Sequence, residues 1–341
     1  MIMDADVFSP AEPDPATFVV QETLGYIYPA ALRAVVSLGV AEHLVEQPRT
    51  AADLAELTGT DPDFLGRALR LLATKGVFQQ DEAGRFHLTA RADVLRWDAP
   101  RSVAAAVLAF TADFVWTPTA RLEEALRSGR PAFQDCFGTS FFGHLAADPE
   151  QARLFDEGLA AFSGGADGSC AISCDLPDSG VLVDVGGGRG GFLAAALQRH
   201  PGLRGVLYER EGVQPGRELA ELDRWEVESG DFFEHVPAGG DCYALKYVLH
   251  DWDDDSCVRI LRNCRDAMAP GGRVLVIDSV LPDGDEPHAG KTMDVFMLVL
   301  LPGRERTAAD FARLFAAAGL ELTGITPTDG PLSVVEGVRA D

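Results

Sequence analysis

Residues 182–191 read Leu-Val-Asp-Val-Gly-Gly-Gly-Arg-Gly-Gly, an apolar run that ends in a loop with glycine at five of its six positions. Glycine lets a backbone take positive φ and approach a ligand closely. Gly186, Gly188 and Gly191 satisfy G-x-G-x-x-G, a dinucleotide cradle, while Asp184, Gly186, Gly188 and Gly190 form D-x-G-x-G-x-G. A carboxylate at Asp184 sits poorly beside a pyrophosphate. It suits a ligand that carries an ammonium group, or it orders the loop. Glu209 closes the next apolar run, where an acid accepts both hydroxyls of a ribose in either kind of nucleotide. In Gly230-Asp231-Phe232-Phe233, the Asp231 carboxylate is placed to accept from an exocyclic amine and Phe232 to pack on an adenine; a plain turn is the alternative for Asp231. The set tilts the loop from a nicotinamide dinucleotide toward S-adenosylmethionine (SAM).

These residues need a sheet beneath them. Apolar runs at 181–183, 204–208, 242–245 and 273–277 alternate with helical patterns at 192–199, 257–268 and 307–318, and strand-like runs at 320–323 and 333–336 close the chain. Strand–helix alternation with buried strands predicts an α/β, Rossmann-like, doubly wound and mostly parallel sheet over 169–341. Upstream, 16–100 reads differently. An apolar helical stretch runs from Pro29 to Leu44, Thr50 caps a short helix with Asp53 three residues on, Asp61-Pro62 opens another, and 77–79 pairs with 86–88 in a hairpin. That is a winged-helix shape. Residues 1–15, with Asp4, Asp6, Glu12, Asp14 and three prolines, predict a solvated tail.

Residues 101–168 predict a helical linker that lines a pocket. Nine aromatics, among them Phe110, Phe114, Trp116, Phe142 and Phe155, crowd residues 101–165 and point to an apolar site for a flat ligand. Ser163-Gly164-Gly165-Ala166-Asp167-Gly168-Ser169 reads as a flexible joint at a domain boundary.

Leu249-His250-Asp251-Trp252 follows the Gly-Asp-Phe by about twenty residues and precedes Ala269-Pro270-Gly271-Gly272 and an apolar strand. With the glycine loop, this order and spacing resembles the small-molecule O-methyltransferases, meaning the plant caffeate type and bacterial counterparts that act on aromatic polyketides and related natural products. The resemblance covers nearly the whole chain. It implies a methyl transfer from SAM, leaving S-adenosylhomocysteine (SAH), to a phenolic hydroxyl of an aromatic natural product. It also implies a homodimer whose N-terminal winged-helix domain covers the partner's site. A histidine in the place of His250 is the family's general base, and the matching acids are Asp278 and Glu305. Asp294, Met293 and Met297 match its substrate wall, and Lys246 a residue near the adenine. The segment between Glu209 and Asp231 is short for the family, so its helix should be truncated. Relatives that bind SAM yet run C-methylation, hydroxylation or decarboxylation are the rival chemistry; a winged-helix ligand sensor is the rival class.

Charge narrows the partners. The chain carries a formal −24. Residues 1–100 hold eight basic against fifteen acidic side chains, where a nucleic-acid reader needs a basic face. The six cysteines show no C-x-x-C pair, and Asp251 with Asp253–Asp255 is explained by a helix N-terminus, so no metal is expected. No stretch nears the ~20 apolar residues of a membrane span, and a cytoplasmic protein is the expectation.

Overall fold

The computed structural model describes residues 14–340. The tail expected over 1–15 falls outside the described residues as far as residue 13. Asp14 caps the first helix, Pro15–Thr23, and Pro15 opens it. The chain divides into two compact units between Thr111 and Ala112.

In the first unit the helices Ile27–Ser37, Ala51–Thr58 and Pro62–Ala73 pack with a small sheet of β1 (Arg49–Thr50), β2 (Phe78–Gln80) and β3 (Arg85–Leu88), in the order β1-β3-β2. The local chemistry is as the sequence reads it. Thr50 and Asp53 form a reciprocal capping box, and Asp61 caps the helix that Pro62 opens. Val35, Leu54, Leu69, Leu72, Phe78 and Phe86 form the core.

The second unit is built on seven strands: β4 (Ser179–Val185), β5 (Gly202–Glu209), β6 (Trp225–Ser229), β7 (Cys242–Lys246), β8 (Arg273–Asp278), β11 (Leu320–Pro327) and β12 (Ser333–Arg339). Their order is β11-β12-β8-β7-β4-β5-β6; β4 to β8 run parallel, and β12 lies antiparallel to both neighbours. A separate two-strand pairing joins β9 (Val280–Leu281) and β10 (Arg306–Thr307). The inner parallel strands β4, β5, β7 and β8 carry buried, near-continuous apolar runs, as strands covered on both faces do. β6 escapes sequence reading because Trp225-Glu226-Val227-Glu228-Ser229 is a mostly exposed edge strand. The truncated helix is present as the four residues Arg217–Ala220.

One expectation is corrected. Ser163–Ser169 is no joint, because one helix runs through it from Pro149 to Ser173. Glycine disfavours helix by only about 1 kcal/mol per residue, which packing overrides. Here the helix packs along Gly191–Arg199, burying Cys170 and Ala171 against the sheet.

Candidate active site

The parallel strands reverse their order between β4 and β7. Ligands in such sheets sit at the carboxyl ends that flank this switch point. The glycine loop leaves β4 there, and the segment Lys246–Trp252 leaves β7 beside it. Asp184 is wholly buried under the loop. A Cβ on Gly187 would stand 2.4 Å from the Asp184 carboxylate and 2.7 Å from Leu207, so the loop closes over the acid only because Gly187 has no side chain. Burial pushes Asp184 up to about 7, more than Lys246 nearby offsets.

Across the loop, Glu209 accepts from the Gly188 amide at 3.0 Å and from the Arg210 amide at 2.9 Å. Asp231 accepts from the Phe233 amide at 2.8 Å, and the Phe232 ring borders Gly186. Lys246 is buried and pairs with Asp167 of the helix Pro149–Ser173, its Nζ 2.5 Å from Oδ1. These groups surround a cavity of about 810 Å³, walled also by Phe142, Phe155, Leu159, Tyr247, Asp251 and Trp252.

His250 occupies a single helical turn, Leu249–Asp251. Tyr247, at φ 55°, swings the chain out of β7 into that turn. Left-handed backbone at a bulky residue is strained, and such strain persists where surrounding packing imposes it. His250 Nδ1 lies 2.9 Å from Glu305 Oε1, and Nε2 lies 3.4 Å from Asp251 Oδ1. Burial alone would depress the imidazole. The charges of Asp251, Glu305 and Asp278 outweigh it and raise His250 to about 10. Burial, eased by the charge on His250, leaves Asp278 at about 7 and Asp251 at about 6. Among the described residues neither Asp278 oxygen has a hydrogen-bond partner, and the charge of Asp278 is one of those that raise His250.

The expected substrate residues separate. Phe142 and Phe155 line the cavity. Phe114 is core, in ring contact with Phe141 and Phe155, and Met297 is buried with it. Trp116 and Met293 pack against that cluster half-buried. Asp294 accepts from the Glu305 amide at 2.9 Å and so supports the segment that carries the acid. Phe110 ends the last helix of the first unit, Ala104–Phe110.

Several groups around these residues escaped sequence reading. Asp167 pairs with Lys246 across 79 positions. Gly303 lies so close to the histidine turn that a Cβ on it would stand 1.9 Å from the His250 carbonyl oxygen. Arg306 is wholly buried beside Glu305. Only Asp251, adjacent to His250, was within reach of a sequence argument, as an acid neighbouring a candidate base.

The family description O-methyltransferase domain matches residues 119–321, and O-methyltransferase dimerisation domain matches 20–96. The phenazine O-methyltransferase PhzM of Lysobacter antibioticus is 38% identical over 326 residues, spanning 94% of this chain and 95% of that protein. A mitomycin biosynthesis 6-O-methyltransferase of Streptomyces lavendulae is 42% identical, spanning 91% of this chain and 90% of its own length. The SAH-bound crystal structure of CalO1, a methyltransferase in calicheamicin biosynthesis, superposes with a TM-score of 0.86 at 45% identity, covering 95% of this chain and 98% of that one.

Proposed function

This chain belongs to the O-methyltransferase family and depends on SAM, and from that premise we propose that it methylates a phenolic hydroxyl of a flat aromatic natural product, with His250 as general base. The observation that carries the role of His250, which stands one residue before the cavity-lining Asp251, is its 2.9 Å contact with Glu305.

The cavity suits the cofactor in shape and charge. Gly186–Gly188 and Glu209 offer a loop and an acid for the adenosine, Phe232 a face for the base, and Asp184 underpins the loop. The wall carries Asp156, Asp167, Glu209, Glu218, Asp231 and Asp251 against Arg189, Arg210 and Lys246, an excess of acids that favours a cation. When bound, SAM supplies an electrophilic methyl on a positively charged sulfur.

A neutral phenol is a weak nucleophile, so its proton must leave as the new C–O bond forms. With Nδ1–H of His250 donating to Glu305, Nε2 is left as the reacting nitrogen. The surrounding carboxylates hold the ring protonated in the free protein. A bound sulfonium would oppose that raising field, and Nε2 of the deprotonated imidazole is the nitrogen that would accept the phenol proton. The imidazolium so formed is stabilised by Glu305, Asp278 and Asp251. Phe142, stacked on Trp252 at 5.6 Å with 21° between the planes, offers a flat face to an aromatic ring.

The helix Pro15–Thr23 and the turn after it leave Phe18, Val20, Leu24 and Tyr26 more than half exposed. That apolar surface supports action as a homodimer. The acidic N-terminal segment supports the absence of a nucleic-acid partner.

The test is methyl transfer from isotopically labelled SAM to a panel of hydroxynaphthoates and hydroxyphenazines. Label should appear on a phenolic oxygen, and H250A should lower the rate by about 10²–10⁴-fold while SAH affinity stays within about threefold. Equal rates in both proteins would remove His250 as the base; label on carbon, or none, would remove O-methylation.

A further inference from the structure

Arg306 is the largest fully buried side chain in the molecule's described part, and every hydrogen bond that its guanidinium makes goes to the segments around His250 and Glu305. Nη1 donates to the Leu249 carbonyl at 2.8 Å and to the Arg304 carbonyl at 3.3 Å. Nη2 donates to the Trp252 carbonyl at 2.8 Å and to Asp254 Oδ1 at 2.9 Å, and Nε donates to the same oxygen at 3.2 Å. The carbonyls of Leu249 and Trp252 bracket His250 and Asp251. One rigid fork therefore grips both ends of the turn that carries the histidine.

The neighbour of Arg306 in sequence is Glu305. Successive side chains of an extended segment point to opposite sides. Glu305 thus reaches the imidazole while Arg306, one residue on, holds the turn from which the imidazole projects. The turn and the acid are fastened to each other at two adjacent residues.

We infer that Arg306 is a positioning residue for the reaction: it fixes the His250 ring against Glu305 with Nε2 turned toward Asp251, which lines the cavity. This rests on His250 being the base. Charge compensation is the competing role, since the guanidinium also favours the ionised form of nearby Asp278. A lysine separates the two. It keeps the charge but is a compact point charge on a flexible stem and offers no planar fork.

The test uses the SAH-bound full chain. A buried imidazole Nδ1–H bonded to a carboxylate gives a proton NMR line far downfield, assigned here by its loss in H250A. In R306K the line should vanish or broaden and methyl transfer should fall by about 100-fold, the scale of a misplacement near 1 Å. SAH affinity should stay within about threefold, because the glycine loop lies on other strands. Adding R306K to H250A should cost little more than H250A alone. An intact downfield line with wild-type turnover in folded R306K would overturn the inference. So would a full additional loss in the H250A background, or a matching loss of SAH affinity. Should R306K fail to fold, D254A at a half-exposed position removes the acceptor of Nε and frees one edge of the guanidinium. It should weaken the line and lower turnover about threefold, and no change in either would equally overturn the inference. If H250A alone keeps full activity, the assignment of the base fails, and the NMR line still reports the hold of Arg306 on the ring.

Discussion

Glu305 Oε1 lies 2.9 Å from His250 Nδ1, with the glutamate side chain fully buried and that of the histidine only 9% exposed. A buried carboxylate fixes the tautomer of its imidazole partner and stabilises the ring once protonated. E305Q keeps the shape and removes the charge. It should lower methyl transfer by about 100-fold with SAH binding preserved. It should also move the acid limb of the rate profile to lower pH, because Glu305 is one of the groups that hold His250 up. An unmoved limb would show that Glu305 does not act through the imidazole.

Gly303 brings a second backbone against the same turn. The missing Cβ would overlap the His250 carbonyl oxygen at 1.9 Å, and backbone atoms there have little room to yield. G303A should therefore destabilise the protein by about 1–3 kcal/mol and lower turnover at least about tenfold. Thermal unfolding and steady-state rates check both; a variant with native Tm and native rate would contradict the packing.

Stability should fall as pH rises between about 4 and 10. The folded pKa of His250 is raised from 6.5 to about 10, so its stabilisation is complete below pH 6.5 and is lost as pH climbs through 10. Asp251, Asp184 and Asp278 are raised from 3.8 to between about 6 and 7, so their burial costs nothing below pH 4 and is felt fully above 7. Both effects have one sign. Without SAM, Tm at pH 9 should lie several degrees below Tm at pH 6, and D184N should flatten the acid half of the slope. A Tm that rises over this range would refute the assignment.

Lys246 and Asp167 are paired with side chains 7% and 13% exposed. Breaking a buried pair leaves an uncompensated charge, at about 3–5 kcal/mol. K246M should approach that loss, whereas K246M with D167L should recover most of it. Additive losses in urea unfolding would show that the two side chains are independent.

The sequence alone determined the parts whose signal is local. Thr50 with Asp53, Asp61 with Pro62 and the glycine loop after β4 declare themselves within a few residues, because caps and positive-φ turns depend on adjacent side chains. The switch-point sheet followed from strand–helix alternation, and its order of motifs carried the family. Longer-range facts belonged to the tertiary structure. Ser163–Ser169 reads as a joint on glycine content, yet it is helix because burial against Gly191–Arg199 outweighs propensity. Phe114, Phe133 and Phe141 of the aromatic cluster proved to be core, since spacing marks an apolar face without saying what that face meets. Above all, Glu305 and Arg306 stand 55 and 57 positions from the partners they grip at His250 and Leu249. That contact exists only because β7 and the segment at 303–306 fold together, and no periodicity in the chain encodes it.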